Sequence, residues 1–457
     1  MTEDTMAVEI STGKKLVYGM GYIGTQLFNG IQAAVTAWFW LNIMKLDNYI
    51  YSIIMLIFYN IWNALNDPIF GWISDKTRTK WGRRIPFIRI FTPIWMFSTI
   101  FLFYPFLSLD QIGLAIWFTI FLLLFDACYT MVAGCYNSLM PELTTLTTER
   151  TKISVISQIF SMIGVTASFI FPLLFKNNLV MFFLFIIIAS VISMAVLLIP
   201  SFIIRERRLY EEEESLGLGK ALGESIKNRP FMTFCGWNFM QQFMSSIIIA
   251  NVIFYATHVL RTSSIGSILL FVAIFIPLFP GFMLWVRLSK KIGVKATVFY
   301  SALFIVIGLI ILFLTGSDYI FSLITLGIIG IGLAGPLIFT NVMIAECTDW
   351  DELRTHQRRE AMYFGTNALF TKPAIGVAQA VIAITLATSG FIPDLIDPFG
   401  NVINIPQSPS AILGIRMIMG LFPAIAMIVG LIFLWIYPLN LEKTREMKEK
   451  LKKLHKN

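Results

Sequence analysis

Residues 179–200 read LVMFFLFIIIASVISMAVLLIP, a stretch without a single charged side chain. A helix of about 20 apolar residues spans the hydrocarbon core of a bilayer, and a helix satisfies its own backbone hydrogen bonds in lipid. Similar blocks recur along the whole chain of 457 residues, of which 57% are hydrophobic and 14% charged. Soluble proteins carry about 25% charged residues. The sequence therefore predicts an all-α polytopic membrane protein and excludes a soluble enzyme.

The apolar blocks predict twelve transmembrane helices. They cover residues 17–45, 49–74, 85–106, 111–141, 152–175, 178–204, 231–258, 264–286, 294–315, 318–346, 361–389 and 410–437. One long polar segment, 205–230, separates the sixth helix from the seventh. We therefore predict an N-terminal six-helix half (1–204), a linker (205–230) and a C-terminal half with a polar tail (231–457). Paired halves are typical of secondary transporters that bind their substrate near the middle of the membrane.

Basic residues lie almost entirely on one side of this predicted topology. Of the 35 Lys and Arg residues, 30 fall in the termini and in loops on the side of the linker. Only Lys45, Lys176 and Arg261 fall in the opposite loops. Because cytoplasmic loops are enriched in Lys and Arg, we expect both termini and the linker on the cytoplasmic side of the plasma membrane. Membrane topology thus accounts for the net charge of +8, and no nucleic-acid partner is expected.

The remaining composition argues against catalysis. The four cysteines lie within or at the ends of apolar segments, without metal-ligand spacing, and we interpret them as small buried hydrophobic residues: Cys128, Cys135, Cys235 and Cys347. The chain has three histidines, too few for a His/Cys metal cluster. No nucleophile and base occur together in the pattern of an active site. We therefore expect no cofactor and no enzymatic activity.

The second predicted helix has a polar face. Asn60, Asn63, Asn66 and Asp67 follow one another at i, i+3, i+6 and i+7 and so lie on one side of the helix. Unpaired polar groups are costly at membrane depth. Their oxygens suit a hard monovalent cation, or a proton carried by Asp67 in a polar niche. A polar clamp between helices is the alternative interpretation.

The fourth helix carries a second polar face. Asp126, Thr130 and Asn137 are spaced to lie on one side of it. The hydroxyl of Thr130 would add one oxygen ligand to the cluster on the second helix. Asp126 is either a substrate-binding or coupling acid, or the partner of a hydroxyl such as that of Tyr129 or of a neighbouring helix.

Lys372 lies in the middle of the eleventh helix and is followed by Pro373. Proline removes a helix hydrogen bond, which predicts a kink at the lysine. A lysine at this depth needs a carboxylate or a polar cavity. We expect either a functional partnership with Asp67 or a purely structural ion pair.

The first helix combines small and polar residues. Its run from Tyr18 to Gly24 contains three glycines and predicts close helix packing. Gln26 follows this run, and Gln158 supplies another amide on the fifth helix. Amides and tyrosines beside apolar walls suit a neutral polar solute. Hydrogen bonds between packed helices are the alternative role.

Residues 66–83, NDPIFGWISDKTRTKWGR, resemble the N-D-P-x-x-G-x-x-x-D-x-T-x-[ST]-x-W-G-[KR] signature of the glycoside–pentoside–hexuronide:cation symporters. These symporters are a branch of the major facilitator superfamily. Residues 345–372, with the acidic block AECTDWDE and the final Thr371-Lys372, are similar to a second motif of that family, and residues 137–141, NSLMP, to a third. The resemblance spans both halves and implies the major facilitator fold.

The resemblance also implies functional positions. The implied cation site, for Na⁺, H⁺ or Li⁺, consists of Asn63, Asn66, Asp67 and Thr130, where position 63 is usually Asp in the family. Of the implied sugar-binding positions only the lysine keeps the family residue, so a galactoside specificity does not carry over: Gln26, Ala133, Asn137, Gln158 and Lys372. We add Asp126 to the candidate substrate-binding residues. Asp75 and Arg83 match a gating motif at the cytoplasmic edge.

These observations predict a cation-coupled secondary transporter that moves a small polar solute, a sugar or glycoside, by alternating access. We expect a monomer whose partners are the solute and the lipid bilayer. Asp67 would be the charge that the coupling ion neutralises before the loaded protein reorients. The alternatives are a lysolipid or lipid transporter, in which Lys372 would face a phosphate, and a non-transporting membrane sensor.

Overall fold

The computed structural model describes most of the chain. The described residues are 11–77, 79–82, 84–105, 108–137, 139, 143, 147–204, 226–355 and 360–454. Within these ranges the side chains of Asp67 and Asp75 are not described, and Arg83 lies between two of the ranges.

The described structure is a series of helices with one short hairpin. The helices are α1 (Thr12–Ala37), α2 (Asn48–Ile53), α3 (Asn60–Lys76), α4 (Ile85–Leu102), α5 (Gln111–Asn137), α6 (Thr147–Phe175), α7 (Leu179–Ile203), α8 (Arg229–Phe254), α9 (Ser264–Ile292), α10 (Val294–Thr315), α11 (Tyr319–Thr355), α12 (Glu360–Thr371), α13 (Pro373–Ser389), α14 (Pro409–Arg416), α15 (Phe422–Ile436) and α16 (Leu441–Leu454). The strands are β1 (Leu395–Ile396) and β2 (Val402–Ile403).

Short π-helical segments extend several of these helices. They are Trp38–Ile43 after α1, Ile54–Tyr59 between α2 and α3, Tyr255–Val259 after α8 and Met417–Leu421 between α14 and α15. Through them α2 and α3 form one helical run, and so do α14 and α15. π-helical turns are rare in proteins overall, but those that occur often lie at functional sites.

Ten helical stretches of the described chain are long and apolar enough to cross a membrane, the first at Ile85–Leu102 and the last at Pro409–Ile436. The helical runs before them, 12–43 and 48–76, coincide with the first two predicted spans. The all-α polytopic membrane fold is confirmed, while the count of twelve spans stays a prediction.

Contacts divide the chain into two compact units. Unit 1 is Met1–Glu214 together with Ile392–Ile405, and unit 2 is Ser215–Phe391 together with Pro406–Asn457. The predicted linker includes residues 205–225, which lie outside the described residues, so the predicted domain bounds stay a prediction. The segment Ile392–Ile405 contains the hairpin and is the feature of this division that the sequence did not indicate.

Unit 1 is organised around α1, which packs against α6 and α7. Glycines permit the close approach. A Cβ atom at Gly24 would lie 2.7 Å from the backbone oxygen of Ser193 on α7, and one at Gly164 on α6 would lie 2.6 Å from the backbone oxygen of Ile23. The predicted glycine-mediated packing of the first helix is therefore present in the structure.

Unit 2 contains two groups of packed helices. α11 packs against α9 and α10, and α8 packs against α13 and α15. At the end of α10, the guanidinium of Arg416 donates hydrogen bonds to the carbonyl oxygens of Phe313 and Leu314. A cation at a helix C-terminus satisfies carbonyls that have no partner within the helix and interacts favourably with the helix dipole.

The C-terminal helix α16 was not predicted, because its sequence is strongly charged. Met447 and Leu451 lie one turn apart on its buried side, and the helix packs against α11. Two buried side chains among those described are too few to form an apolar block of the kind that predicts a membrane helix.

The hairpin docks on the rest of unit 1. β1 and β2 pair antiparallel, with Leu395 opposite Ile403. A turn closed by the Asp397 carboxylate, which accepts from the backbone N–H groups of Phe399 and Asn401, joins the strands. The hairpin contacts the residue before α7 through an isolated antiparallel bridge between Asn178 and Asn401.

Buried polar groups hold this docking in place. Asp394 is fully buried, and its carboxylate accepts hydrogen bonds from the Asn42 amide at 2.9 Å and from the backbone N–H of Ile405 at 2.8 Å. Lys176, 3% exposed, lies at the same place in unit 1. Burial lowers the pKa of Lys176 to about 8, and the charge of Asp394 opposes the shift.

Candidate functional site

The candidate site begins where a π-helical segment gives way to α3. Tyr59 is the last residue of the π segment and Asn60 the first of α3. From there α3 continues as a regular helix through Asp67 to Lys76. The helix therefore places Asn60, Asn63 and Asn66 on one face, as the spacing predicted.

This face packs against α5, where it contacts one buried carboxylate. The Asp126 side chain is 4% exposed. One of its oxygens accepts a hydrogen bond from the Asn66 amide, and the other accepts from the Tyr59 hydroxyl at 3.3 Å. Asn63, 2% exposed, interacts with the same Tyr59 hydroxyl. Two asparagines of α3 are thus linked to a single acid on α5.

Three side-chain oxygens on α3 and α5 have no hydrogen-bond partner among the described residues. They are the side-chain carbonyl oxygens of Asn60 and Asn66 and the hydroxyl oxygen of Thr130. A buried polar atom without a partner costs free energy, and an ion, a proton donor or a water normally satisfies it. These acceptor oxygens, together with one or two carboxylates, have the chemistry of a site for a hard monovalent cation.

Thr130 completes this arrangement from α5. It follows Asp126 by one helical turn, so both side chains lie on the same side of α5. The predicted site members Asn63, Asn66 and Thr130 therefore belong to neighbouring helices of unit 1. The side chain of Asp67 lies outside the described residues, and its part in the site stays a prediction.

Two of the predicted solute-binding residues lie on α1 and at the end of α5. Gln26 is half-buried beside Gly164, where a Cβ atom on the glycine would lie 3.0 Å from the Gln26 Cβ atom. Asn137 is exposed, and its side-chain oxygen accepts a hydrogen bond from the Tyr22 hydroxyl at 2.9 Å. Gln158 on α6 is exposed as well.

An aromatic cluster of Tyr18, Tyr22 and Tyr136 adjoins Asn137, and nothing in the sequence indicated that Tyr136 belongs to it. The rings of Tyr18 and Tyr136 stack with centroids 5.0 Å apart, and Tyr22 meets Tyr136 edge-on at 5.6 Å. The i, i+4 spacing of the two α1 tyrosines was the signal that could have revealed it. The cluster sets a phenol hydroxyl and an amide side by side, groups that bind the hydroxyls of a polar solute.

Lys372 lies in unit 2, where the predicted interruption of the helix is present. α12 ends at Thr371 and α13 begins at Pro373, with Lys372 half-buried between them. One turn earlier, the Asn367 side-chain oxygen accepts from the amide of Asn238 on α8 at 3.0 Å. The predicted pairing of Lys372 with Asp67 stays a prediction.

The predicted gating residues fall outside the description, Asp75 by its side chain and Arg83 entirely. The intervening turn is described. The Thr79 hydroxyl donates to the carbonyl oxygen of Gly82 at 2.7 Å, and Gly82 has a φ of 105°, a conformation that favours glycine. Among the described residues there is no group of three or more His, Cys, Asp or Glu side chains that could hold a metal ion.

The chain belongs to the MFS/sugar transport protein family, whose model matches residues 17–441. It is similar to an uncharacterized symporter of Synechocystis, at 25% identity over 100% of this chain and 99% of that protein. It is also similar to a glucuronide carrier protein homolog of Escherichia coli, at 22% identity over 86% of this chain and 85% of that protein. The resemblance to glycoside–pentoside–hexuronide:cation symporters is thereby confirmed.

Two further similarities bear on fold and substrate. A sphingosine-1-phosphate transporter of Xenopus tropicalis is 22% identical over 96% of this chain and 90% of that protein. The crystal structure of a bacterial homolog of the lysosomal transporter Spinster superposes with a TM-score of 0.66 at 14% identity, covering 96% of this chain and 98% of that one. The protein is therefore a multi-pass membrane transporter of the major facilitator superfamily, and its relatives are transporters rather than enzymes.

Proposed function

We propose that this transporter is a symporter that couples a monovalent cation to the movement of a small polar solute, a sugar or glycoside. The observation that carries the proposal is the network of Asn66, Asp126 and Tyr59 with unpartnered oxygens beside it. A purely structural clamp would use its buried acceptors, whereas the Asn66 carbonyl and the Thr130 hydroxyl have no hydrogen-bond partner in the described part of the chain and could bind an ion.

Asp67 provides the coupling step in this proposal. Asp67 follows Asn63 by four residues in the sequence, a spacing that puts both on one side of a helix. An empty site would leave a carboxylate charge at membrane depth, which is costly. Binding of Na⁺, Li⁺ or H⁺ neutralises that charge, and the loaded protein then reorients more readily than the empty one. The ion thus shifts the equilibrium between facing states.

The proposed solute is polar because the candidate residues offer amides and phenols. Gln26, Gln158 and the Tyr22–Asn137 pair supply neutral donors and acceptors. Lys372 adds one positive charge, which suits a glycoside that carries an acidic group. The similarity to a glucuronide carrier homolog supports this solute class.

Uptake into proteoliposomes tests the proposal. Purified protein is first screened by thermal shift against sugars, uronides and lysophospholipids, with NaCl, LiCl or choline chloride at several pH values, because a ligand of the folded state raises the melting temperature. The radiolabelled form of the best sugar is then offered under an imposed Na⁺ gradient or pH gradient. Accumulation above equilibrium is expected under one of them. Equal uptake with and without both gradients would reject cation coupling.

A lipid transporter is the second candidate, favoured by the similarity to the sphingosine-1-phosphate transporter. In that case Lys372 would pair with a phosphate. Competition separates the candidates. Inhibition of uptake by unlabelled glycosides, with no effect of lysophospholipids, supports the sugar proposal, and the reverse supports the lipid one. Absence of counterflow for either class of solute would leave the membrane-sensor alternative.

The distribution of the protein's basic residues supports cytoplasmic termini, and the monomeric state and the plasma-membrane location stay predictions. In this orientation Asp75 and Arg83 lie at the cytoplasmic edge, where they would stabilise one facing state. Asp75→Ala is expected to slow transport while changing solute affinity little. Complete loss of equilibrium binding in a folded variant would contradict a gating role.

A further inference from the structure

Asp126 lies among residues of the proposed cation site rather than among the residues proposed for the solute. Its carboxylate contacts the Asn66 amide and the Tyr59 hydroxyl, and it precedes Thr130 by one turn of α5. By contrast, Gln26 and Gln158 lie on α1 and α6, and neither contributes to this network.

The contact with Asp126 fixes which end of the Asn66 side chain faces the site. An ionised carboxylate only accepts hydrogen bonds, so the NH₂ end of the amide must point to it. The carbonyl end is then turned away from Asp126, and it is this oxygen that is buried without a partner among the described residues. Asp126 therefore presents a carbonyl oxygen of Asn66 as a ligand for a cation.

The same carboxylate organises the second asparagine through Tyr59. The hydroxyl of Tyr59 donates to Asp126, so its oxygen is left to accept, and Asn63 interacts with it. Asn66 directly, and Asn63 through Tyr59, are thus connected to one acid from α5. A clamp between α3 and α5 alone does not explain why the oxygens of Asn66 and Thr130 are buried with no hydrogen-bond partner among the side chains that the structure describes.

We propose that Asp126 is the second carboxylate of the cation site, supplying the negative charge that position 63 lacks and orienting Asn66 towards the ion. The inference rests on the proposed function and specifies its ion. With Asp67 and Asp126 both present, the site carries two acids for one monovalent cation. A metal ion takes several oxygen ligands, which the carbonyl of Asn66 and the hydroxyl of Thr130 would supply beside the two acids. A proton needs only one carboxylate, and we therefore assign the site to Na⁺ or Li⁺.

The experiment tests whether a carboxylate at position 63 can replace the carboxylate at position 126. Purified full-length protein is heated in detergent with increasing NaCl, the ionic strength being held constant with choline chloride. The Na⁺ concentration that gives half of the maximal thermal stabilisation is measured for wild type, Asp126→Asn, and the double variant Asp126→Asn/Asn63→Asp. Asp394→Asn is the matched control, because it removes another buried carboxylate of unit 1 that accepts from an asparagine.

Asp126→Asn should raise the half-maximal Na⁺ concentration about 10- to 100-fold, the usual effect of losing a group that supports a metal ligand. The double variant should recover most of this loss, and Asp394→Asn should lower the melting temperature without moving the Na⁺ midpoint. An unchanged midpoint in Asp126→Asn, or no recovery in the double variant, would overturn the inference.

Two further outcomes are also decisive. If Asp126→Asn does not fold, Asp126→Glu displaces the carboxylate by one methylene and should change the ratio of the Li⁺ and Na⁺ midpoints, whereas an unchanged ratio overturns the inference. If wild type is not stabilised by Na⁺ or Li⁺ yet accumulates solute under a pH gradient, Asp126 is not part of a metal site, and the proposed symport stands with H⁺. Failure of both measurements would reject the symport itself.

Discussion

Asn42 and Asp394 bind each other reciprocally although 352 positions separate them in the sequence. The Asn42 amide donates to the Asp394 carboxylate at 2.9 Å, and the Asp394 backbone N–H donates to the Asn42 side-chain oxygen at 2.8 Å. Both side chains are fully buried. This pair attaches the hairpin at 395–403 to the π-helical end of α1.

Asn42→Ala should therefore destabilise the protein. It removes a donor to a buried carboxylate and leaves the Asp394 backbone N–H without its acceptor, a loss of about 1.5–3 kcal/mol. Phe399→Ala, at the tip of the same hairpin and 81% exposed, is the matched control and should change little. Thermal unfolding of the purified variants measures the difference, and equal melting temperatures would show that the pair adds no stability.

Gly24→Ala should also lower the melting temperature. The new methyl group would meet the Ser193 carbonyl oxygen at 2.7 Å, and overpacking of this kind costs about 1–3 kcal/mol. Gly134→Ala on α5 has open space around its Cβ position and should be neutral or stabilising by up to about 1 kcal/mol. An equal change in melting temperature in the two variants would mean that close packing at Gly24 does not determine the effect.

Much of the membrane fold could be predicted because the features that determine it lie within short stretches of sequence. A block such as 179–200 is apolar along its whole length, and Pro373 interrupts its helix wherever the rest of the chain lies. The charged helix α16 and the polar hairpin were missed, since neither has an apolar run. Their stability comes from contacts with distant elements, for example the bridge between Asn178 and Asn401.

The candidate site was predictable to a similar extent. Helical spacing alone placed Asn60, Asn63 and Asn66 on one face of α3. It could not show that Asp126 meets Asn66, because that contact depends on how α3 packs against α5. From spacing alone Asp126 could be a substrate-binding residue, a coupling acid or a structural one.

Thr130→Ala should weaken the response to Na⁺ without weakening the fold. The Thr130 hydroxyl oxygen has no partner among the described residues, so its removal breaks no described hydrogen bond but deletes one ion ligand. Thr119→Ala, on the same helix, removes a hydroxyl that donates to Ala115 at 2.7 Å and should leave the Na⁺ midpoint unchanged. Midpoints that move together in the two variants would exclude a specific role for Thr130.

Cysteine labelling tests the proposed orientation. The four native cysteines are buried and none of them forms a disulfide, so background labelling should be low. In intact cells, a membrane-impermeant maleimide should label Phe399→Cys in the hairpin but not Ser215→Cys in the linker, and permeabilisation should expose the latter. Labelling of Ser215→Cys from outside would reverse the topology.

The most direct test of the account is solute accumulation by Asp67→Asn in proteoliposomes, because Asp67 is the proposed coupling charge. The radiolabelled sugar selected by thermal shift is offered under the ion gradient that drives the wild type, and exchange is measured in parallel without a gradient. The account predicts that the variant exchanges solute across the membrane but does not accumulate it above equilibrium. Accumulation by Asp67→Asn at the wild-type level would contradict the assignment of Asp67 as the coupling residue.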